Sequence, residues 1–229
     1  MAEQADGGSG RADGKEQAYR RLRDWIIYSE LRPGSAIKER ELAERLGVSR
    51  TPLREILQRL HYVGLVDWQP NIGVFVAPID YGRIREIFEV RLALERAAVS
   101  LATVKATVAQ IDDLEALLGR CRQAIDTGEY VTFISLDALF HEKIRDIAGN
   151  AYLATLMDNA HNVALRFWYL YRESLADTYH DIENLGLVVE AMRRRDAPAA
   201  ANAIAAHIVG FLRAFHAQEI DALCRAMAV

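Results

Sequence analysis

The chain has 229 residues, 51% apolar and 26% charged, which is enough for one large or two modest cores and too apolar for a disordered chain. No run approaches the roughly eighteen apolar residues of a membrane span, the N-terminus has no apolar leader segment, and Cys121 and Cys224 are too few for a disulfide framework, so a reducing, cytoplasmic setting is expected. The net charge of −4 divides into −2 over residues 1–14, +3 over 15–79 and −5 over 80–229, which suggests a basic and an acidic unit with different partners.

Residues 1–14 read as a flexible tail. A helix is predicted over 17–29, with Leu22, Trp25, Ile26 and Ser29 on one face, followed by a turn at Leu31-Arg32-Pro33-Gly34-Ser35. A short helix over 39–46 stops at Gly47. Ser49 is expected to cap a third helix over 50–63, where Pro52 falls in the first turn and its missing N–H costs nothing. Two strand-like runs, 65–69 and 74–77, flank Pro70-Asn71-Ile72-Gly73 as a hairpin. The chain divides near Pro78–Asp80. Beyond it only helical periodicity remains, at about 80–104, 107–126, 128–148, 151–176, 180–195 and 197–226, punctuated by Gly128, Gly149-Asn150 and Asp196-Ala-Pro198. The expected fold is mostly α: a winged helix-turn-helix over 15–78, three helices plus a β-hairpin wing, then an all-α bundle over 79–229.

Two helices joined by the tight turn Leu46-Gly47-Val48-Ser49 suit nucleic-acid reading. Leu42, Ala43, Leu46 and Val48 face inward against Leu53, Ile56, Leu57 and Leu60. The third helix then presents Ser49, Arg50, Thr51 and Arg54 at its start. Arg50 and Arg54 share a face, and a planar guanidinium donates two parallel hydrogen bonds to a guanine edge, worth about 1–3 kcal/mol of discrimination. Ser49, Thr51 and the first N–H groups of the helix suit phosphate, Arg40 reaches the backbone or groove edge, and Gly73 gives the wing tip a permissive backbone.

The segments Glu41-Leu-Ala-Glu-Arg-Leu-Gly-Val-Ser-Arg-Thr-Pro-Leu-Arg-Glu-Ile-Leu57, Gln58-Arg-Leu60, Gly64-Leu-Val66, Gly73-Val-Phe-Val76 and Leu31-Arg-Pro-Gly34 strongly resemble the GntR family of bacterial transcription regulators. The resemblance covers about residues 15–78 and implies DNA contacts at Arg40, Ser49, Arg50, Thr51, Arg54 and Gly73. Ser29 stands where the family usually has glycine. The helical remainder looks like the FCD effector domain of the FadR-type branch, through Glu89-Val-Arg91 with Leu94-Glu95, Asp137-Ala-Leu-Phe-His141, Ala148-Gly-Asn150 and Glu190-Ala-Met-Arg-Arg-Arg-Asp196 before an Ala-rich helix carrying His207.

Read from the residues alone, Asp137 and His141 project together from an apolar stripe of Ile134, Ile144 and Ala148, and His207 sits among Ile204, Phe211 and Phe215. Buried polar groups need partners, so either a satisfied Asp–His hydrogen bond or a divalent transition metal (Zn, Ni, Mn or Fe), one per protomer, accounts for them. The family resemblance favours metal, but Leu185 stands where metal-binding members usually carry a further histidine. A three-residue site, substitution by His180 or His161, and the absence of metal all stay open.

Arg91 lies on a stripe with Ile84, Ile87, Phe88 and Leu94 or Glu95. It is read either as an inward clamp for an anionic effector or as an i,i+4 ion pair with Glu95. Phe167-Trp168-Tyr169, with Tyr171, cannot all face one core. The resemblance implies double-stranded operator DNA, a carboxylate-type effector and repression relieved by the effector; a homodimer is expected because one recognition helix covers few base pairs, and no membrane partner is expected. The alternative is a metal-dependent enzyme fused to a DNA module, for which no general-base motif, nucleophile elbow or phosphate loop is visible.

Overall fold

A computed structural model describes residues 9–79, 81–175 and 182–227. The chain separates into two compact units, residues 1–80 and 81–229.

The first unit holds α1 (Ser9–Ile27), α2 (Glu39–Leu46), α3 (Arg50–Tyr62), β1 (Val66–Gln69) and β2 (Gly73–Val76). Leu42, Ala43 and Leu46 of α2 and Leu53, Ile56, Leu57 and Leu60 of α3 meet Leu22 and Ile26 of α1 and Val66, Val74 and Val76 of the hairpin in one core, with Val48 and Trp25 at its margin. Each fully buried aliphatic side chain contributes about 1.5–3 kcal/mol, and this core sets the angle at which α3 presents its N-terminus. Gly47 closes α2 in the left-handed region (φ 69°), where its N–H caps the carbonyl of Glu44 and the N–H of Val48 caps that of Ala43.

The start of α1 and the cap of α3 differ from the sequence expectation, while the hairpin forms as expected. Helix α1 runs Ser9–Ile27, so it begins before residue 17. Ser49 occupies the N-cap position of α3, but its side chain makes no cap hydrogen bond. The hairpin pairs Val66 with Val76 and Gln69 with Gly73, and a bridge between Ala36 and Phe75 adds a third short piece of ladder from the loop before α2.

Ser29 is not in a regular helix but in the left-handed region (φ 58°). That conformation explains the family's glycine at this position: without a Cβ the turn is unstrained.

In the second unit, six described helices follow: α4 (Tyr81–Lys105), α5 (Val108–Asp126), α6 (Tyr130–Ala148), α7 (Ala151–Leu175), α8 (Glu183–Arg193) and α9 (Ala197–Met227). Helix α4 packs against α6, α7 and α9, so its inward face looks onto all three. Thr107 and Gln110 form a capping box at the start of α5. Asn150 Oδ1 accepts from the Leu153 N–H at the start of α7, and Asp196 Oδ1 accepts from the Ala199 N–H at the start of α9. The punctuation read from sequence is therefore helix-capping chemistry. No described helix is long and apolar enough to cross a membrane.

Candidate functional site

The N-terminal end of α3 is exposed at Ser49, Arg50, Thr51 and Arg54. A surface depression lined by Arg40, Ala43, Glu44, Gly47, Val48, Ser49 and Arg50 brings the first turn of α2 alongside the start of α3. Arg54 Nε donates to Glu39 Oε2 at 3.1 Å, and Arg40 Nε lies 3.4 Å from Glu44 Oε1. Such exposed ion pairs are worth about 0–1 kcal/mol, so both guanidinia exchange these partners readily for a stronger anion. At the wing tip Asn71 (φ 63°) and Gly73 (φ 142°) shape a tight reversal that holds Ile72 out in solvent. A side chain at position 73 would be strained, which gives Gly73 a conformational reason for its place.

The second site is buried between helices. Asp137 and His141 of α6 and His207 of α9 are all at most 5% exposed, and one ligand atom from each lies within 4.8 Å of the others. Asp137 Oδ1 is 3.1 Å from His207 Nε2, and Asp137 Oδ2 is 3.8 Å from His141 Nε2. Yet Asp137 Oδ1 and both ring nitrogens of His141 have no hydrogen bond among the described residues. Polar atoms close together, buried and not hydrogen-bonded are costly unless a third group satisfies them. A carboxylate with two imidazoles suits a divalent transition metal, so the residues present fit such an ion.

Leu185 is wholly buried in the core and offers no donor atom, His180 lies outside the described residues, and His161 is not among the three converging residues. His161 is nevertheless a neighbour: its ring centroid is 6.2 Å from that of His141, and it lines a small cavity with Arg91, Asp137, Ala138, Ala164, Leu165 and Trp168. Burial, reinforced by the positive charge of Arg91, pushes His161 down to about 3, so its ring is neutral at physiological pH.

Arg91 forms the i,i+4 ion pair of one sequence reading and faces inward as the other requires. It is buried, lines the cavity, and donates from Nε to Glu95 Oε1 at 3.4 Å. Glu95 is the participant whose role sequence reasoning missed. It is 1% exposed, and its Oε2 lies 3.0 Å from His141 Nδ1. Its signal was present, since it falls four residues after Arg91 on the same apolar stripe, but the sequence offered it only as a counter-charge. Burial alone would raise Glu95; the imidazole of His141 and the guanidinium of Arg91 outweigh it and hold the carboxyl down to about 2. Asp137 is likewise pushed up by burial but held below the usual carboxylate range by His207, His141 and Arg91.

Two of the three adjacent aromatic residues turn inward. Phe167 and Trp168 are buried and Tyr169 is half-buried. Trp168 packs on Phe211 with ring centroids 4.9 Å apart and on Phe133 at 5.9 Å, closing the cavity on one side. The side chain of Tyr171 lies outside the described residues, as do those of Phe215 and Cys224.

Residues 15–76 match the family described as bacterial regulatory proteins, gntR family, and residues 86–210 match the FCD domain. The chain belongs to the GntR family of bacterial regulators, in the branch that carries an FCD domain. It is similar to the uncharacterized HTH-type transcriptional regulator YdhC of Bacillus subtilis, 31% identical over 148 residues that make up 64% of this chain and 66% of that protein. A Streptomyces ambofaciens HTH-type regulator is 34% identical over 66% of this chain and 62% of its own length, so the match spans a little under two thirds of both relatives. The HTH-type transcriptional repressor RspR of Escherichia coli is 28% identical over 193 residues, 84% of this chain and 85% of that one. Among solved structures, E. coli McbR/YncC superposes with a TM-score of 0.76 at 25% identity, covering 90% of this chain and 98% of the other. The family is one of transcription regulators rather than enzymes, and the fused-enzyme alternative is set aside.

Proposed function

We propose that this protein is an operator-binding regulator that senses a small carboxylate through a metal in its helical unit. The observation that carries the sensing half is the convergence of buried Asp137, His141 and His207, with hydrogen-bond capacity left over on Asp137 and His141, beside the buried guanidinium of Arg91. Asp137, His141 and His207 would hold the ion. When bound, such a metal supplies a Lewis-acidic anchor for an anion. Arg91, committed to Glu95 through Nε, has its terminal amino groups for an anionic ligand in the same cavity. Trp168 lines the same cavity and would limit the size of that ligand.

On the DNA side, Arg50 and Arg54 read base edges, Ser49, Thr51 and the start of α3 take phosphate, Arg40 holds the backbone, and Gly73 lets the wing approach the duplex. One recognition helix covers few base pairs, so a homodimer on two half-sites supplies the specificity. Effector binding shifts the population between dimer states that fit and do not fit the half-site spacing. Release from the operator is the favoured direction, in keeping with the name of the RspR relative.

The test has two parts. Protein purified without chelator is submitted to elemental analysis. Binding to genomic fragments is then measured with and without a panel of small organic acids. Failure to bind any duplex overturns the regulator reading, and an acid-insensitive, metal-free protein overturns the sensing reading.

A further inference from the structure

Beside the three converging residues stands a fourth buried polar group to which neither the family nor the metal reading assigns a part. Glu95 projects from α4 and reaches His141 on α6. One of its oxygens, Oε1, accepts from Arg91 Nε. The other, Oε2, lies 3.0 Å from His141 Nδ1, and neither of these two atoms has a hydrogen bond elsewhere among the described residues.

We infer that Glu95 is a positioning residue that fixes the tautomer of His141. A carboxylate oxygen can only accept. If Nδ1 carried the lone pair, two acceptors would face each other at 3.0 Å inside the protein, leaving both unsatisfied. A proton on Nδ1 replaces that clash of acceptors with an attractive N–H facing a carboxylate oxygen. The two atoms are in polar contact at 3.0 Å, with the N–H too far off line for a regular hydrogen bond, so the preference for Nδ1–H comes from charge and from avoiding two facing acceptors. With the proton on Nδ1, the lone pair of His141 is on Nε2, the nitrogen that faces Asp137 Oδ2.

Arg91 completes the device from the other side. Its Nε–H engages Oε1 and balances the buried charge, leaving Oε2 for the ring. The three groups form a relay, Arg91 to Glu95 to His141, in which the anion-clamping guanidinium and the metal-facing imidazole share one carboxylate. Outer-shell carboxylates of this kind set ring orientation and basicity, and their loss typically lowers metal affinity about 10–100-fold. The effect on metal affinity rests on the metal reading of the preceding section; the tautomer does not.

The experiment uses full-length protein labelled with 15N-histidine, together with Glu95→Gln and Glu95→Leu. Long-range 1H–15N correlation spectra of EDTA-treated protein report which nitrogen of His141 carries the proton. Zn2+ affinity is then measured by competition with a chromophoric chelator, and circular dichroism checks folding. Wild-type protein is expected to show the Nδ1–H tautomer. Glu95→Leu should lose that preference and bind Zn2+ about 10–100-fold more weakly. Glu95→Gln, whose amide oxygen can still accept, should lie between, a graded rescue that a purely packing role would not produce.

An Nε2–H tautomer in the wild type overturns the inference, and so does unchanged Zn2+ affinity in a folded Glu95→Leu. If Glu95→Leu fails to fold, the wild-type spectrum and the near-isosteric Glu95→Gln decide. If the wild type takes up no Zn2+, the metal reading falls, and the spectrum alone judges Glu95.

Discussion

Asp137 Oδ1 and His207 Nε2 lie 3.1 Å apart although 70 residues of chain separate them, one on α6 and the other on α9. With His141 added, three buried ligand atoms converge rather than two. Removal of any one of the three side chains is expected to abolish near-stoichiometric metal, with a larger loss of affinity than the roughly 10–100-fold typical of an outer-shell partner. Elemental analysis of His141→Ala and His207→Ala checks this, and retention of metal in both would remove the site. Added metal at 100 times its Kd should stabilise the wild type by about 2.7 kcal/mol, visible as a rise in Tm that the variants lack.

The reading head makes a separate prediction. Arg50→Ala and Arg54→Ala should each weaken operator binding by about 1–3 kcal/mol and relax the preference at one base position. Arg40→Ala should instead weaken all duplexes alike and reduce the salt dependence of binding by about one phosphate contact. Fluorescence anisotropy on matched and mutated operators over a salt series separates the two patterns. Equal loss on every sequence for Arg50→Ala would assign that residue to the backbone.

Ser29 sits in the left-handed region, and its buried Oγ has no hydrogen bond among the described residues. Glycine removes both penalties at some cost in unfolded-chain entropy. Ser29→Gly is expected to stabilise the N-terminal unit by about 1 kcal/mol, measured by denaturant unfolding followed through Trp25 and Trp68 fluorescence.

Acid should loosen the helical unit of the metal-free protein. His161 is held down to about 3 from an ordinary 6.5, so below pH 6.5 the unfolded chain takes up a proton that the native state refuses. Glu95, held down to about 2 from 4.5, acts with the same sign at lower pH: its stabilisation is complete above 4.5 and is lost as pH falls towards 2. Stability therefore declines from about pH 6.5 downward, with a slope of up to about 1.4 kcal/mol per pH unit from His161 alone. His161→Gln should flatten the curve between pH 6.5 and 4.5; an unchanged slope would show that His161 is not the group responsible.

Cys121 is buried, and burial together with the nearby negative charge of Asp137 pushes its thiol up to about 12. Little thiolate forms at pH 8. In a Cys224→Ser background, Cys121 is expected to resist alkylation until the protein is unfolded with guanidinium. Rapid labelling of the native protein would mean that the α5–α6 interface opens readily.

Much of this molecule was legible in its sequence, because the features concerned are local. The 3.6-residue periodicity, Gly47, Asn150 and Asp196 each act within a few residues, so the helix order and most boundaries follow from the chain alone. The first turn of α3 could be read in the same way, since Ser49, Arg50, Thr51 and Arg54 need only their own helix to share an exposed end. Asp137 and His141 were recognisable as a pair because i and i+4 positions meet on any helix. Even Ser29 was marked as a departure, although only its backbone angle explains why glycine is usual there.

Contacts between helices distant in sequence were decided by tertiary structure alone. Helix packing brought His207 to Asp137, buried Leu185 as an apolar side chain, and left His161 as a neutral neighbour rather than one of the three converging residues. It also turned Glu95 from the counter-charge of Arg91 into a group facing His141. Periodicity says which face of a helix is turned inward; which residue of another helix meets it depends on how α4, α6, α7 and α9 cross, and no single stretch of sequence carries that angle.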